Sequence, residues 1–187
     1  MALPRKDPAM DAPAQPDAPK SNETAHLDPA IEHAQLLFRE VWHDLENEVG
    51  REGLRFPKEI IWLNGAPGSG KGTNTPFILY ERSISAPPIV ISDLLNTPEF
   101  QRIKNQGNLV GDREVMGALL RRLLDPIYAN GVVTDGYPRT RVQVETLKLF
   151  YQRMFELRRE FGNSPMAMNF PAPVFRITVL YVEEKES

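Results

Sequence analysis

The sequence predicts an α/β protein: a doubly wound parallel sheet with flanking helices. Three observations carry that expectation. From Glu59 onward, short β-branched runs alternate with stretches whose apolar residues recur at helical spacing. The first run passes directly into a glycine-rich turn. Two later runs end in Ser92-Asp93 and Asp135-Gly136, polar ends suited to the edge of an open parallel sheet where ligands collect.

Taken in order, residues 1–27 hold Pro4, Pro8, Pro13, Pro16 and Pro19 among Ala, Asp, Gln and Lys, with no aromatic residue. Such a stretch cannot bury enough apolar surface to offset its ordering entropy, so a disordered tail is expected. No apolar region follows Arg5 and Lys6, which argues against a secretory leader. Residues 28–58 read as an amphipathic helix and linker. Asp28 caps, Pro29 takes the first helical position, and Ile31, Ala34, Phe38, Val41, Trp42, Leu45 and Val49 recur until Gly50. That helix docks either on the core or on a second copy of the chain.

Residues 59–187 are expected to form one α/β domain. Ile60-Ile61-Trp62-Leu63 is its first strand, and a helix carrying Phe77, Ile78 and Tyr80 follows the glycine-rich turn. Pro76 removes one backbone donor from that helix. Ile89-Val90-Ile91 is the second strand. Thr97-Pro98-Glu99 opens a short helix closed by Gly107, and Asp112 is expected to cap a longer one bearing Val115, Leu119, Leu120 and Leu123. Val132-Val133-Thr134 is the third strand. After Thr140 comes a long helix with Val144, Leu147, Tyr151, Met154 and Phe155 as its apolar stripe, and residues 174–182 read as the fourth strand.

Composition narrows the chemistry. The 187 residues carry a net charge of −3, which gives no electrostatic case for duplex nucleic acid or an anionic membrane. There is no cysteine, so disulfides, thiol nucleophiles and thiolate metal sites are excluded. His26, His33 and His43 all precede the first strand and cannot supply a catalytic cluster. No apolar run is long enough for a membrane span, and a cytoplasmic protein is expected.

The strongest signal is Gly65-Ala66-Pro67-Gly68-Ser69-Gly70-Lys71-Gly72-Thr73. A strand, a glycine-rich turn and a helix N-terminus aim successive N–H groups at one point, and the glycines let backbone approach phosphate oxygens. Lys71 adds a mobile positive charge for the outer phosphates, and the Thr73 hydroxyl is one step displaced from the strict pattern in which it would follow the lysine. Downstream, Asp135 at a strand end suits Mg²⁺ held through water, and Arg139 offers a planar fork for phosphate. The Gln143 amide carries a donor and an acceptor that can read an adenine edge.

These motifs resemble those of adenylate kinases and related nucleoside monophosphate kinases. The turn at residues 65–73 is similar to that family's phosphate loop, and Asp135-Gly136-Tyr137-Pro138-Arg139-Thr140 with Gln143 to its third-strand signature. Gly107-Asn108-Leu109-Val110 is similar to its acceptor segment. The resemblance covers residues 59 to about 182. It implies reversible transfer of the γ-phosphoryl of ATP to a nucleoside monophosphate, AMP in the first instance, with Mg²⁺. Gly68, Ser69, Gly70, Lys71, Gly72 and Thr73 would bind ATP, with Thr73 and Asp135 serving the metal. Asn108, Leu109, Val110, Gly136, Tyr137, Pro138, Arg139 and Gln143 would bind the acceptor nucleotide, Gln143 at its base. Lys71, Arg139 and Asp135 would be the catalytic set. Two departures stand out. Asn96 replaces the arginine that grips the acceptor phosphate in the family, and the chain given stops after the fourth strand, before a lid. A nucleotide-binding module without turnover, or a P-loop kinase for a small metabolite, are the alternative readings.

Overall fold

The computed structural model describes residues 28–106 and 110–181. The tail at residues 1–27, Gly107, Asn108, Leu109 and residues 182–187 lie outside them.

Four strands form one sheet: β1 (Ile60–Gly65), β2 (Ile89–Val90), β3 (Val132–Asp135) and β4 (Phe175–Leu180). Their order is β2-β3-β1-β4 and every pairing is parallel. The α/β class with a parallel sheet, expected from the alternation of runs, is therefore observed. Strand β1 is central and its Ile60, Ile61, Trp62 and Leu63 are all buried, as a strand covered on both faces requires.

Six helices surround the sheet among the described residues: α1 (Pro29–Val49), α2 (Lys71–Glu81), α3 (Ile91–Leu94), α4 (Pro98–Asn105), α5 (Asp112–Leu123) and α6 (Arg141–Phe161). The connection from β1 to β2 runs in the opposite direction along the sheet from those between β2 and β3 and between β3 and β4. Right-handed crossovers then place α2 on one face and α5 and α6 on the other. None of these helices is long and apolar enough to cross a membrane.

Helix α1 packs on α5 and α6, so it docks on this chain's own core. Asp28 caps it as expected, accepting from Ala30 N at 2.9 Å, and Gly50 ends it at φ +68°. The same Asp28 carboxylate pairs with Arg141 of α6. Aromatic rings carry the packing inward: Phe38 stacks on Trp42, Trp42 meets Phe150, Phe150 meets Phe175, and Phe175 meets Trp62 edge-on at 5.4 Å. Across this contact Glu46 Oε1 accepts from Trp42 Nε1 and from Arg153 of α6, each at 2.7 Å. Burial alone would raise the Glu46 carboxyl, but these two donors and the nearby arginine charges hold it below its ordinary value.

The structure departs from the sequence reading in three places. The buried face of α6 is Gln143, Thr146, Phe150, Met154 and Leu157, while Val144 and Phe155 are exposed. Polar residues can hold the inner face because their groups are satisfied: Thr146 Oγ1 meets both the Tyr137 hydroxyl and the Gln143 carbonyl at 2.8 Å. Asp112 does not cap α5. Gly111 occupies the cap position and Asp112 is the first helical residue, its carboxylate turned to α6 instead. Ile91 begins α3 rather than ending β2. Pro76 is absorbed within α2, which continues to Glu81.

At the outer edge, β4 shows a different kind of surface. Phe175 lies against α6, but Ile177, Val179 and Tyr181, on the same side of the strand, are 73%, 66% and 83% exposed. The cover that α6 provides ends at Phe175.

One ion cluster locks α2 to the sheet. Glu59, immediately before β1 and 8% exposed, receives both Arg82 Nε and Nη2, at 3.0 and 2.9 Å, and also pairs with Arg176 of β4. Burial pushes the Glu59 carboxyl up, and the hydrogen bonds and charges of Arg82 and Arg176 outweigh it, leaving the group below its ordinary value. We expect Glu59→Gln to cost roughly 1–3 kcal/mol at pH 7 by chemical denaturation, since both arginines are about half exposed to water. A carboxyl that titrates lower when folded than when unfolded contributes fully above the ordinary carboxylate range. That contribution fades as pH falls through the folded value, so the two stability curves should converge in acid.

Candidate functional site

Strand β1 ends at Gly65, and the phosphate-loop residues turn back into α2 at Lys71. Gly65 is required by space: a Cβ there would lie 2.5 Å from Ser69 Oγ and 2.6 Å from the Leu180 carbonyl. Gly68 and Gly70 take φ of +80° and +84°, the left-handed region that lets successive amides share one concave side. Ser69 N closes the turn on Ala66 O at 3.1 Å. The first turn of α2 has no side-chain cap, so its N–H groups remain available to an anion.

Lys71 lies across this loop. Its Nζ donates to the Gly65 carbonyl at 2.8 Å and the Ala66 carbonyl at 3.1 Å. The ammonium is thus held at the loop by backbone dipoles. The Ser69 hydroxyl is buried and has no hydrogen-bond partner. A cavity of about 510 Å³ adjoins the loop, lined by residues 65–69 and by Val179, Leu180 and Tyr181. Thr73 is exposed, whereas Thr75, further along α2, is buried and its hydroxyl donates to the Lys71 carbonyl at 2.8 Å.

The second motif leaves the same edge of the sheet. Leu63 of β1 is in register with Asp135 of β3, so the residues after each strand emerge side by side. Gly136 N donates to the Leu63 carbonyl at 3.2 Å, and Asn64 Nδ2 donates to the Tyr137 carbonyl at 3.1 Å. These two bonds join the phosphate loop's strand to the Asp135–Arg139 turn. Asn64 was not singled out in the sequence; an amide at the last turn of a central strand, just before the glycine, is the signal that points to it.

Within that turn the residues divide by role. The Asp135 carboxylate is partly exposed and makes no hydrogen bond or ion pair among the described residues. Tyr137 goes inward, 1% exposed against Trp62; burial pushes its hydroxyl above the ordinary range, while the Thr146 bond acts the other way. It therefore offers backbone, not side chain, to a ligand. Pro138 follows it, partly buried. Arg139 is exposed, its Nε donates to the Gly136 carbonyl at 2.7 Å with Nη2 lying over Gly136, and its guanidinium has no carboxylate partner among the described residues.

Gln143 is placed differently from a residue that reads a base. It is 5% exposed, its Oε1 accepts from Arg139 N and its Nε2 donates to Asp112, both at 2.7 Å. Of the acceptor segment, Val110 is described and packs partly buried against the core. Asn96 and Arg102 are exposed on the α3–α4 side, Asn96 accepting from Gln101 at 2.8 Å. No group of three or more His, Cys, Asp or Glu that could hold a metal exists among the described residues.

No protein-family model matches the chain.

Gly136 is the position where the geometry makes a sharp demand. Its φ is +88°, and a Cβ would meet Arg139 Nη2 at 2.4 Å. Gly136→Ala should therefore strain the backbone by about 1–2 kcal/mol and push the guanidinium off the turn. The expected readout is a drop in unfolding midpoint of about 2–8 °C, measured by scanning calorimetry.

Proposed function

We propose that this chain is a nucleoside monophosphate kinase of adenylate kinase-like type, transferring the γ-phosphoryl of Mg-ATP to AMP. The observation that carries the reading is the common sheet edge: the glycine loop with Lys71 and the turn bearing Asp135 and Arg139 leave neighbouring parallel strands in register.

The chemistry asks for positioning and charge neutralisation. A phosphate oxygen of the acceptor forms the new bond to the γ-phosphorus as the bond to the β-phosphate oxygen breaks, with no protein nucleophile. Loop amides and the α2 N-terminus cradle the polyphosphate. Lys71 gives up its carbonyl contacts to follow the charge, and Arg139 presents its free nitrogens to the acceptor phosphate or the moving phosphoryl group.

Mg²⁺ fits this arrangement as an ion that arrives with the nucleotide. Asp135, unbonded at the strand end among the described residues, would hold it through water, and Thr73 of α2 would supply a hydroxyl. Bound there, the ion would supply charge neutralisation for the phosphoryl groups.

A coupled assay for ADP formation, run with a panel of monophosphates, tests the proposal. Turnover with AMP supports it; tight ATP binding without turnover points to a binding module, and turnover only with a non-nucleotide acceptor to a metabolite kinase. Lys71→Ala and Arg139→Ala should each lower kcat by about 10²–10³ with unchanged unfolding midpoints. Full activity in Lys71→Ala would remove the phosphate loop from the mechanism.

A further inference from the structure

Helices α1 and α6 leave a groove along their outer side. Two cavities, of about 490 and 180 Å³, share Gln35 and Leu149 and so run into one another. Their lining extends from Ile31 to His43 of α1, about 18 Å at the rise of an α-helix. One wall is aromatic: Phe38 and Trp42 stack nearly parallel, with ring centroids 5.6 Å apart. Trp42 Nε1 is taken by Glu46, so the indole offers only its ring. Leu149 adds an apolar side chain from α6. Arg39, also in the lining, is exposed and makes no hydrogen bond or ion pair among the described residues.

The chain carries a segment of matching chemistry. Pro13, Pro16 and Pro19 recur at every third residue, with Asp17 among them. A polyproline II helix has three residues per turn, which puts the proline rings on one face and Asp17 on the next. In that form residues 13–19 span about 19 Å, close to the length of the groove. Aromatic-lined grooves read prolines at this spacing, because the stiff backbone has little conformational freedom to lose. Residues 13–19 lie outside the described residues, but the point where their segment joins the fold does not. Asp28 caps α1 one turn before Ile31, at one end of the groove. Residues 20–27 reach up to about 26 Å when extended, enough for the chain to turn back and enter.

We propose that residues 13–19 dock in the α1–α6 groove of their own chain as a polyproline II helix. Pro19 enters at the Ile31 end, Pro16 and Pro13 follow the Phe38–Trp42 wall, and Asp17 meets Arg39. Tethering gives the segment an effective concentration in the millimolar range. A contact with a Kd of about 100 μM in trans is then about nine-tenths formed. The docking is independent of the kinase reading.

Because the chain has no cysteine, Ala14→Cys takes a single nitroxide spin label in the full protein. NMR should show paramagnetic broadening of the amides of residues 35–43 and 149–153, with those of α2 and β2 spared. Pro13→Ala, Pro16→Ala and Pro19→Ala together should cut that broadening by about threefold or more. Arg39→Asp should weaken it, and adding Asp17→Arg should restore it. Arg39 is exposed and the other substitutions precede α1, so none of them removes a core contact.

Broadening confined to the groove, lost with the prolines and recovered by the charge exchange, supports the proposal. Broadening spread over the whole surface, or untouched by the proline substitutions, overturns it. Groove broadening that arises only between spin-labelled and isotope-enriched chains in a mixture assigns the groove to a second copy, and also overturns it. So does a groove left unbroadened in the labelled chain yet shifted by an added peptide of residues 11–20, which marks a site for an external partner.

Discussion

The pairing of β1 with β3 is the constraint on which the site depends. Two parallel strands in register deliver two loops to one edge, and the Gly136 and Asn64 hydrogen bonds extend that register beyond the strands themselves. Without it, the glycine loop and Arg139 would be separate features on separate turns. Because β1 is buried on both faces, its position cannot drift without opening the core. The edge where the loops meet inherits that rigidity.

Charge is handled differently in the scaffold and at the site. Glu59 and Glu46 are carboxylates sunk among guanidiniums, each with two arginines or an arginine and a tryptophan donating to it. Such groups tie α2 to the sheet and α1 to α6, and removing one partner leaves the other uncompensated. Asp135 and the outer nitrogens of Arg139 have no such partners among the described residues. Lys71 lies between these extremes, held only by carbonyl dipoles that a phosphate can outcompete. The scaffold's carboxylates are paired, whereas Asp135 and the Arg139 guanidinium keep hydrogen-bonding capacity unspent among the described residues.

Much of the fold was legible in the sequence because its signals are local. Asp28-Pro29 and Gly50 mark the ends of α1, Thr140 marks the start of α6, and β-branched runs mark the strands. The inner face of α6 was not legible. Val144 and Phe155 look like core residues by hydrophobicity, yet Gln143 and Thr146 hold the interior because partners from α5 and the Tyr137 turn satisfy them. Asp112 misled for a related reason. An acidic residue at a helix start resembles a cap, and nothing nearby in sequence reveals that its acceptors serve another helix 28 residues on.

By itself, the sequence determined the glycine-rich turn between β1 and α2, since such a turn has only local requirements of backbone freedom. It also determined the alternation that makes the sheet parallel. The tertiary structure alone decided which side chains remain free to act. A hydrogen-bonding group is spent or available according to what lies within about 3 Å of it, and for Gln143, Asp112 and Asn64 those neighbours come from elements distant along the chain. That is why Arg139 emerges as a cation with no carboxylate partner among the described residues, and Gln143 as a buried amide that accepts from its backbone.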